Sequence, residues 1–418
     1  MQPAKRISTD AHTPSGPGRF VLGFGGTIDH EVVWDGALVA RLAAEHALGL
    51  ADCDPDLPIV DERSLVAVIL GHARRRRGGE RFVADPAAIE VFSARHERSV
   101  TIGGTCVRAA LMMRTLGVRS TAVLVAIDDT FRGLFPADCD YLVSDDGARL
   151  TPHLIVQLPA EGRIPVRDGE IVIDRPNRLI FVNDPPQTEM VLSPDLGAAL
   201  PGADALLISG FNAMSDAALL RLRLESLAGT VRSLPAGALV MYEDAGYHSA
   251  EVSAVADTQL TPLVDVHSMN EDELQAHVGR EVDLLDADEV LRAVADLHRV
   301  FDGPTFVVHT RHWALASGPR AAELEAALAG GIHAATARYL YGDAVAAADV
   351  ARIGREQVPA RHRDVADAIR ASDPGSVRCV PAYAVHAANP TTIGLGDSFV
   401  GGFLAALGSA PRAEGMPR

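Results

Sequence analysis

Lysine is all but missing from this 418-residue chain: Lys5 is the only one, so every other fixed positive side chain is an arginine. A lysine ammonium is therefore excluded as a phosphate contact beyond the first few residues, and any anionic ligand needs a positive site built without it. Positive charge is scarce overall, with 38 Lys and Arg against 55 Asp and Glu and a net charge of −17. Such a surface repels nucleic acid and anionic membranes. Cysteine is scarce as well. Cys53, Cys106, Cys139 and Cys379 lie far apart and form no CxxC, so they point to neither a zinc site nor a disulfide framework, and a reducing cytoplasm fits best. Long apolar runs are missing too: LVAVILGHA (65–73) is soon ended by Arg74–Arg77, well short of the roughly 20 residues of a membrane helix. Residues 1–18 are polar, rich in Pro and Gly, and lack the apolar stretch of a secretory signal. We expect a soluble protein with disordered tails at 1–18 and 409–418.

The run ARRRRGG (73–79) raises the question of nucleic acid, but no interleaved aromatics or second basic cluster accompany it. The expectation is a helix end, with arginines near its negative pole and Gly78 as the stop. What the chain has in plenty is apolar residues, 48% of the total, enough for a large core. The length exceeds one typical domain.

RFVLGFGG (19–26) reads as a strand ending in a glycine loop, with Asp29 just beyond it. Helical spacing dominates from 36 to about 100. SVTIGGTCVRAALMMRTLGV (99–118) then gives strand, Gly103-Gly104 turn and helix, followed by the strand TAVLVAI (121–127), which predicts a βαβ unit with parallel pairing. Between 141 and 182 short apolar strands alternate with Gly, Pro and Asp turns, as in a small separate sheet. After 200 the β and α segments alternate again: strands at ADALLISG (203–210), GALVMYEDAG (237–246), LTPLVDVHSMN (260–270) and PTFVVHTRHWALASG (304–318), with helices between them. The predicted architecture is α/β, a doubly wound core over 19–31, 101–127 and 183–408, with a smaller α+β lid from 32–100 and 128–182.

One stretch breaks the pattern. In NPTTIGLGDSFVGGFLAAL (389–407), a polar turn carrying Gly394, Gly396 and Asp397 immediately precedes an apolar helix. The first N–H groups of a helix have no partner within it, and with the helix dipole they suit a phosphate or the charge that develops in phosphoryl transfer. Asp397 is unexpected there, since a carboxylate repels phosphate. Spacing alone leaves two readings open: a helix cap worth about 1 kcal/mol, or a base taking the proton of an attacking hydroxyl. Asn270 and Glu273 in HSMNEDEL likewise fit a helix cap with its capping-box acid.

TIGLGDSFVGGF, with Asn389-Pro390-Thr391 ahead of it, resembles the terminal signature of ribokinase-fold sugar kinases. Its GLGD form is similar to the ADP-dependent glucokinase and phosphofructokinase branch. The resemblance extends to Asn270 and Glu273 as an N-x-x-E motif, to the turn at Gly103-Gly104, to Asp29, and to VVHTRHWALASG (307–318), loosely covering 19–408. It implies that Asp397 is the catalytic base and that the N–H groups of Gly394, Leu395 and Gly396 form the anion hole. Glu273, with Asn270 fixing the loop, and Glu243 would help hold Mg²⁺. Glu243 matches the glutamate of the family's H-x-E motif, whose histidine position is Met241 here. Asp29, Gly103, Gly104 and, less strongly, Asn212 would meet the sugar. Thr105-Cys106 departs from the family pattern after the two glycines. Arg178 resembles the arginine of the family's lid strand, which would bind a sugar phosphate or pair with a lid carboxylate, with Arg163, Arg167 and Arg175 as other candidates. Val380, Pro381 and Tyr383 would line an adenine crevice. His309, His312 and His386 are expected to be ordinary structural or surface residues, and Cys106 a small buried one. The expected activity is Mg²⁺-dependent transfer of the terminal phosphoryl group of ADP to a sugar or sugar phosphate of the glucose or fructose 6-phosphate type. The alternatives are an ATP-dependent sugar or nucleoside kinase of the same fold and a weakly active sugar- or nucleotide-binding regulator. The partners would be a small-molecule sugar and a nucleotide, with no nucleic acid and no membrane.

Overall fold

Strand segments that are apolar throughout, such as FVLGFG and TFVVH, are buried along their whole length, as strands covered on both faces must be. They belong to a nine-stranded sheet in a computed structural model that describes residues 19–409 except 248, 388–390 and 392. The strands in chain order are β1 (Phe20–Gly25), β2 (Thr27–Val32), β3 (Gly79–Phe82), β4 (Arg98–Gly103), β5 (Ser120–Ile127), β6 (Asp140–Asp146), β7 (His153–Leu158) and β8 (Gly162–Val166). They continue with β9 (Gly169–Ile173), β10 (Asn177–Val182), β11 (Ala205–Ile208), β12 (Leu239–Glu243), β13 (Val266–Asn270), β14 (Thr305–His309), β15 (Trp313–Ser317) and β16 (Val377–Pro381). The large sheet has the order β16-β15-β14-β13-β12-β11-β1-β5-β6 and is parallel from β6 to β14. Only β15 runs against its neighbours. The order reverses between β1 and β11, so the crevice for a ligand is expected at the carboxyl ends of the strands near that point.

A second sheet, β3-β10-β7-β2-β4, carries the helices Gly36–Glu45, Glu62–Arg75 and Ala87–Ala94 on one face. Alternation is plain here: Leu154, Val156, Leu158, Leu179 and Phe181 point to that helical core, leaving the residues between them for the other face. The hairpin β8–β9 packs on the same apolar cluster through Ile164, Ile171 and Ile173.

Four expectations need correction. β4 and β5 do not pair in a βαβ unit: β4 pairs with β2 in the small sheet, β5 with β1 and β6 in the large one, and the helix Thr105–Thr115 bridges them. The turn at Gly103-Gly104 moves the chain between sheets, and strand periodicity does not reveal which sheet a strand joins. For the same reason, 27–31 and 101–103 pair in the small sheet although the core was expected to hold them, while 140–146 pairs with β5 rather than in the lid. The helix Glu62–Arg75 ends with Arg76 itself in the left-handed conformation (φ 58°), not at Gly78. Asp29 lies within β2 and not in a turn. Among the described residues no helix is long and apolar enough to cross a membrane. The tails expected at 1–18 and 409–418 lie outside them, apart from Ser409, which ends the last helix.

Candidate active site

The helix Leu395–Ser409 starts at the carboxyl edge of the large sheet, where Gly394 adopts a positive φ of 70° and accepts the Ser398 N–H at 3.0 Å. A side chain at Gly394 would be strained there and would lie 2.7 Å from Arg108 Cδ. Glycine is thus required by both backbone and neighbour. The helix is fixed behind this turn by close approach: Gly401 lies against the backbone of Ala109, and Gly402 against that of Gly330 in the helix Glu325–Tyr341. Asp397 stands in the first turn, partly exposed, where the free N–H groups of Leu395 and Gly396 begin. Asn389 and Pro390 of the same motif lie outside the described residues.

Arg108 is the residue sequence reasoning missed. It comes from the helix Thr105–Thr115 and is buried, with Nη2 3.1 Å from Asp29 Oδ2 and 3.7 Å from Glu31 Oε1, and Nε 4.0 Å from Asp397 Oδ2. Burial pulls its pKa down, but the charges of Asp29 and Asp397 more than offset this and hold the guanidinium charged. Thr27 donates to Asp29 Oδ1 at 2.8 Å, and Thr101 donates to Glu31 Oε1 at 2.7 Å. A Cβ at Gly103 would strike Asp29 and Thr27, so that glycine makes room for the carboxylate, and Gly104 (φ 91°) packs on Gly26. The one available signal was an arginine one turn after the two glycines, among residues that are otherwise apolar and buried.

Glu243 closes β12 and His309 closes β14, and His309 Nε2 lies 2.9 Å from Glu243 Oε1. His309 is therefore not an ordinary structural histidine: its ring also stacks on Phe399 at 4.5 Å, and its Cε1 lies 3.5 Å from where a Cβ of Gly396 would be. Burial lowers its pKa, while the charge of Glu243 and its hydrogen bond raise it by more. Met241, at the position where a histidine was expected, is wholly buried in the core. His309 thus approaches Glu243 from two strands away. Asn270 and Glu273 do form the capping box: Asn270 Oδ1 accepts from the N–H groups of Asp272 and Glu273, and Glu273 accepts from Asn270 N at 2.7 Å. Burial, with the charges of Glu243 and Asp244 adding to it, pushes Glu273 up to about 8. Glu243 Oε2 is buried with no hydrogen-bond partner among the described residues. The carboxylates of Glu243 and Glu273 are hard oxygen donors of the kind that suits Mg²⁺.

The remaining candidates are dispersed. Arg178 pairs across β10 and β7 with Gln157, and the register β10-β7-β2 puts it on the same face as Asp29 and Glu31. Arg163 is bonded to Glu170 within the β8–β9 hairpin, and Arg167 to the Ala47 carbonyl at 2.8 Å. Arg175 is exposed just before β10. Asn212 sits in a short turn after β11, at the same edge as Glu243. Val380 and Tyr383 pack on the large core beside the helix Leu395–Ser409, Tyr383 sharing a 2.9 Å hydrogen bond with His333, and Pro381 ends β16. Cys106 is wholly buried, and burial pushes its thiol up to about 12, away from any nucleophilic role.

The model of one family, the ADP-specific phosphofructokinase/glucokinase conserved region, matches residues 18–405. No curated protein matches. The structure is similar to that of a hypothetical ADP-dependent phosphofructokinase from Pyrococcus horikoshii OT3, at TM-score 0.74 and 17% identity over 94% of this chain and 98% of that one. It is similar to a phosphofructokinase from the same organism with AMP (TM-score 0.71, 16% identity, 94% and 98% covered). An ADP-dependent kinase in complex with fructose-6-phosphate and ADPβS is also similar, at TM-score 0.71 and 15% identity over 94% of each chain.

Proposed function

The chain belongs to the ADP-specific phosphofructokinase/glucokinase family and is an ADP-dependent sugar kinase with a ribokinase-like fold, and we propose that Asp397 is its catalytic base and its acceptor a sugar phosphate of the fructose 6-phosphate type. The observation that carries this reading is the meeting of Asp397, at the start of the helix Leu395–Ser409, with Arg108 and the sugar-facing carboxylate Asp29. The ATP-using alternative and the regulator yield to the family's own activity.

Sugar hydroxyls are held by Asp29, whose rotamer is fixed by Arg108 and Thr27. Asp397 accepts the proton of the attacking hydroxyl as its oxygen bonds to the β-phosphorus of ADP, and AMP leaves with the electron pair of the broken P–O bond. The N–H groups of Gly394, Leu395 and Gly396 offset the negative charge that gathers on the transferred group. Glu243 and Glu273, with Asn270 shaping the loop, would hold Mg²⁺, which when bound neutralises phosphate charge. His309 keeps the Glu243 carboxylate oriented, as a histidine on β12 would have done. Val380, Pro381 and Tyr383 line the adenine side, with Asn212 at the edge toward the sugar. Arg178, on the same face as Asp29, favours a phosphorylated acceptor over glucose, because a guanidinium fork matches phosphate. The small sheet, carrying Asp29 and Arg178, acts as the lid and keeps water from the transferred group.

The test is an assay of the full chain with Mg²⁺, ADP and either fructose 6-phosphate, glucose or glucosamine, quantifying AMP and phosphorylated sugar. Acceptor-dependent AMP is expected, and Asp397→Ala should lower kcat by about 10²- to 10⁴-fold with ADP binding retained. Arg178→Ala should raise KM for fructose 6-phosphate and leave glucose turnover unaffected. Undiminished turnover by Asp397→Ala would reject the base, and equal turnover of glucose by wild type and no use of the sugar phosphate would reject the acceptor.

A further inference from the structure

Behind the phosphate edge lies a second polar cluster that the kinase reading does not use. Asp244 follows Glu243 at the end of β12, His267 lies in β13, and His277 occupies the last turn of the helix Glu271–Val278. Tyr242 and His267 are paired residues of neighbouring strands, so they share a face of the sheet, the one opposite to Met241 and Glu243. Asp244 Oδ2 receives both imidazoles, His277 Nε2 at 2.6 Å and His267 Nε2 at 3.3 Å. Its Oδ1 accepts from the Tyr242 hydroxyl at 2.9 Å and from Ala245 N at 2.7 Å. The side chains of Asp244 and His267 are almost wholly buried, at 3% and 1% exposure, and that of His277 at 14% leaves one approach from solvent.

We propose that Asp244, His267 and His277 form a site for a zinc-type divalent cation. The three donor atoms lie within 4.8 Å of one another. Ligands about 2.0–2.1 Å from a tetrahedral centre are themselves a little over 3 Å apart, as His267 Nε2 and Asp244 Oδ2 are at 3.3 Å, while the 2.6 Å contact of His277 with Asp244 is a hydrogen bond that would open on binding. Two imidazole nitrogens and one carboxylate oxygen suit Zn²⁺, Co²⁺ or Ni²⁺ and not Mg²⁺, which prefers an all-oxygen shell. The cluster also leaves a polar atom beside it wanting. Asp257 Oδ1 is buried without a hydrogen-bond partner among the described residues, and Asp257 lies in electrostatic reach of Asp244, His267 and His277. With three protein ligands, the fourth position is open to water or to Asp257.

The consequence is mechanical. His277 ends the helix whose first residues cap on Asn270 and Glu273, and Asp244 adjoins Glu243, so a cation at this site would pin both loops of the phosphate edge from behind. The ligands lie up to 33 positions apart, just after β12, in β13 and on a helix, so no short sequence motif marks them.

The inference stands apart from the kinase reading, and its test needs no turnover. The full chain, stripped with chelator and freed of nucleotide, is titrated with Co²⁺ while visible d–d absorption and bound metal are measured, and with Zn²⁺ while thermal melting is followed. One Co²⁺ per chain with a nitrogen/oxygen d–d band, and a rise in Tm with Zn²⁺, are expected. His277→Ala should weaken Co²⁺ binding by at least about a hundredfold and abolish the Tm rise, while Glu243→Gln should keep both, which separates this site from the phosphate edge. Absence of stoichiometric Co²⁺ from the wild-type chain overturns the proposal whatever the variants do. So does equal binding by a folded His277→Ala.

Discussion

The large and small sheets present their polar side chains in different ways. In the large one the inner strands are buried on both faces, so their carboxyl ends are left for chemistry, and Glu243, Asn270 and His309 each close a strand. In the small one the helices cover one face, and Asp29, Glu31, Thr101 and Arg178 are spread along the other. A sheet buried on both faces gives a point of chemistry per strand, whereas a half-covered sheet gives a surface that matches an extended polyhydroxy ligand. The two are joined by few residues, and those joints are where the comparison can be broken.

Arg108 is the first joint, since it leaves a helix of the large core to hold two carboxylates of the small sheet. Arg108→Ala should cost roughly 3–5 kcal/mol, because Asp29 and Glu31 are left buried without a counter-charge. Arg163→Ala, which only breaks an exposed pair with Glu170 on the β8–β9 hairpin, should cost about 0–1 kcal/mol. Denaturant unfolding of both variants checks this; equal losses would mean the joint is no stronger than a surface pair.

Asp184 is the second joint. It accepts the Thr151 N–H at 3.1 Å, tying the chain's return from β10 to its outward passage before β7, and its Oδ2 has no partner among the described residues. Burial is the main cause that pushes its pKa up to about 6, with the charge of Asp128 adding and that of His153 opposing. A folded-state pKa above the unfolded value disfavours the ionised carboxylate in the fold, so this group's cost is absent below about pH 4 and grows until about pH 6. Asp184→Asn should therefore gain on wild type by up to about 3 kcal/mol between pH 4 and pH 7, read from urea melts. A difference that does not vary with pH would place the carboxylate in water.

The smallest effect lies within the large core. A Cβ at Gly402 would meet the Gly330 carbonyl and Ala334, so Gly402→Ala should cost about 1–3 kcal/mol from overpacking, less about 1 kcal/mol of helix propensity regained. A variant of unchanged or higher Tm would show that these helices can part.

Legibility followed the same division. The inner strands of the large sheet stood out as solid apolar runs, and the turn before Leu395–Ser409 stood out because a glycine of positive φ and a first-turn acid are local features. The small sheet was foreseen as short strands with turns, but its members were partly misassigned: 27–32 follows β1 after one residue, and 98–103 precedes a helix of the other core. Periodicity reports which residues share a face and is silent on the strand that will lie beside them.

By itself, then, the sequence determined the α/β order of elements, the phosphate-suited helix start at Gly394–Asp397, and the capping box at Asn270 and Glu273, because each depends on residues within a few positions of one another. Only the tertiary structure decided that Arg108 pairs with Asp29 across 79 positions, that His309 reaches Glu243 across 66, and that His277 converges with Asp244 across 33. Such pairs form where sheet order and helix packing bring distant backbones together, and a buried charge finds its partner through that packing.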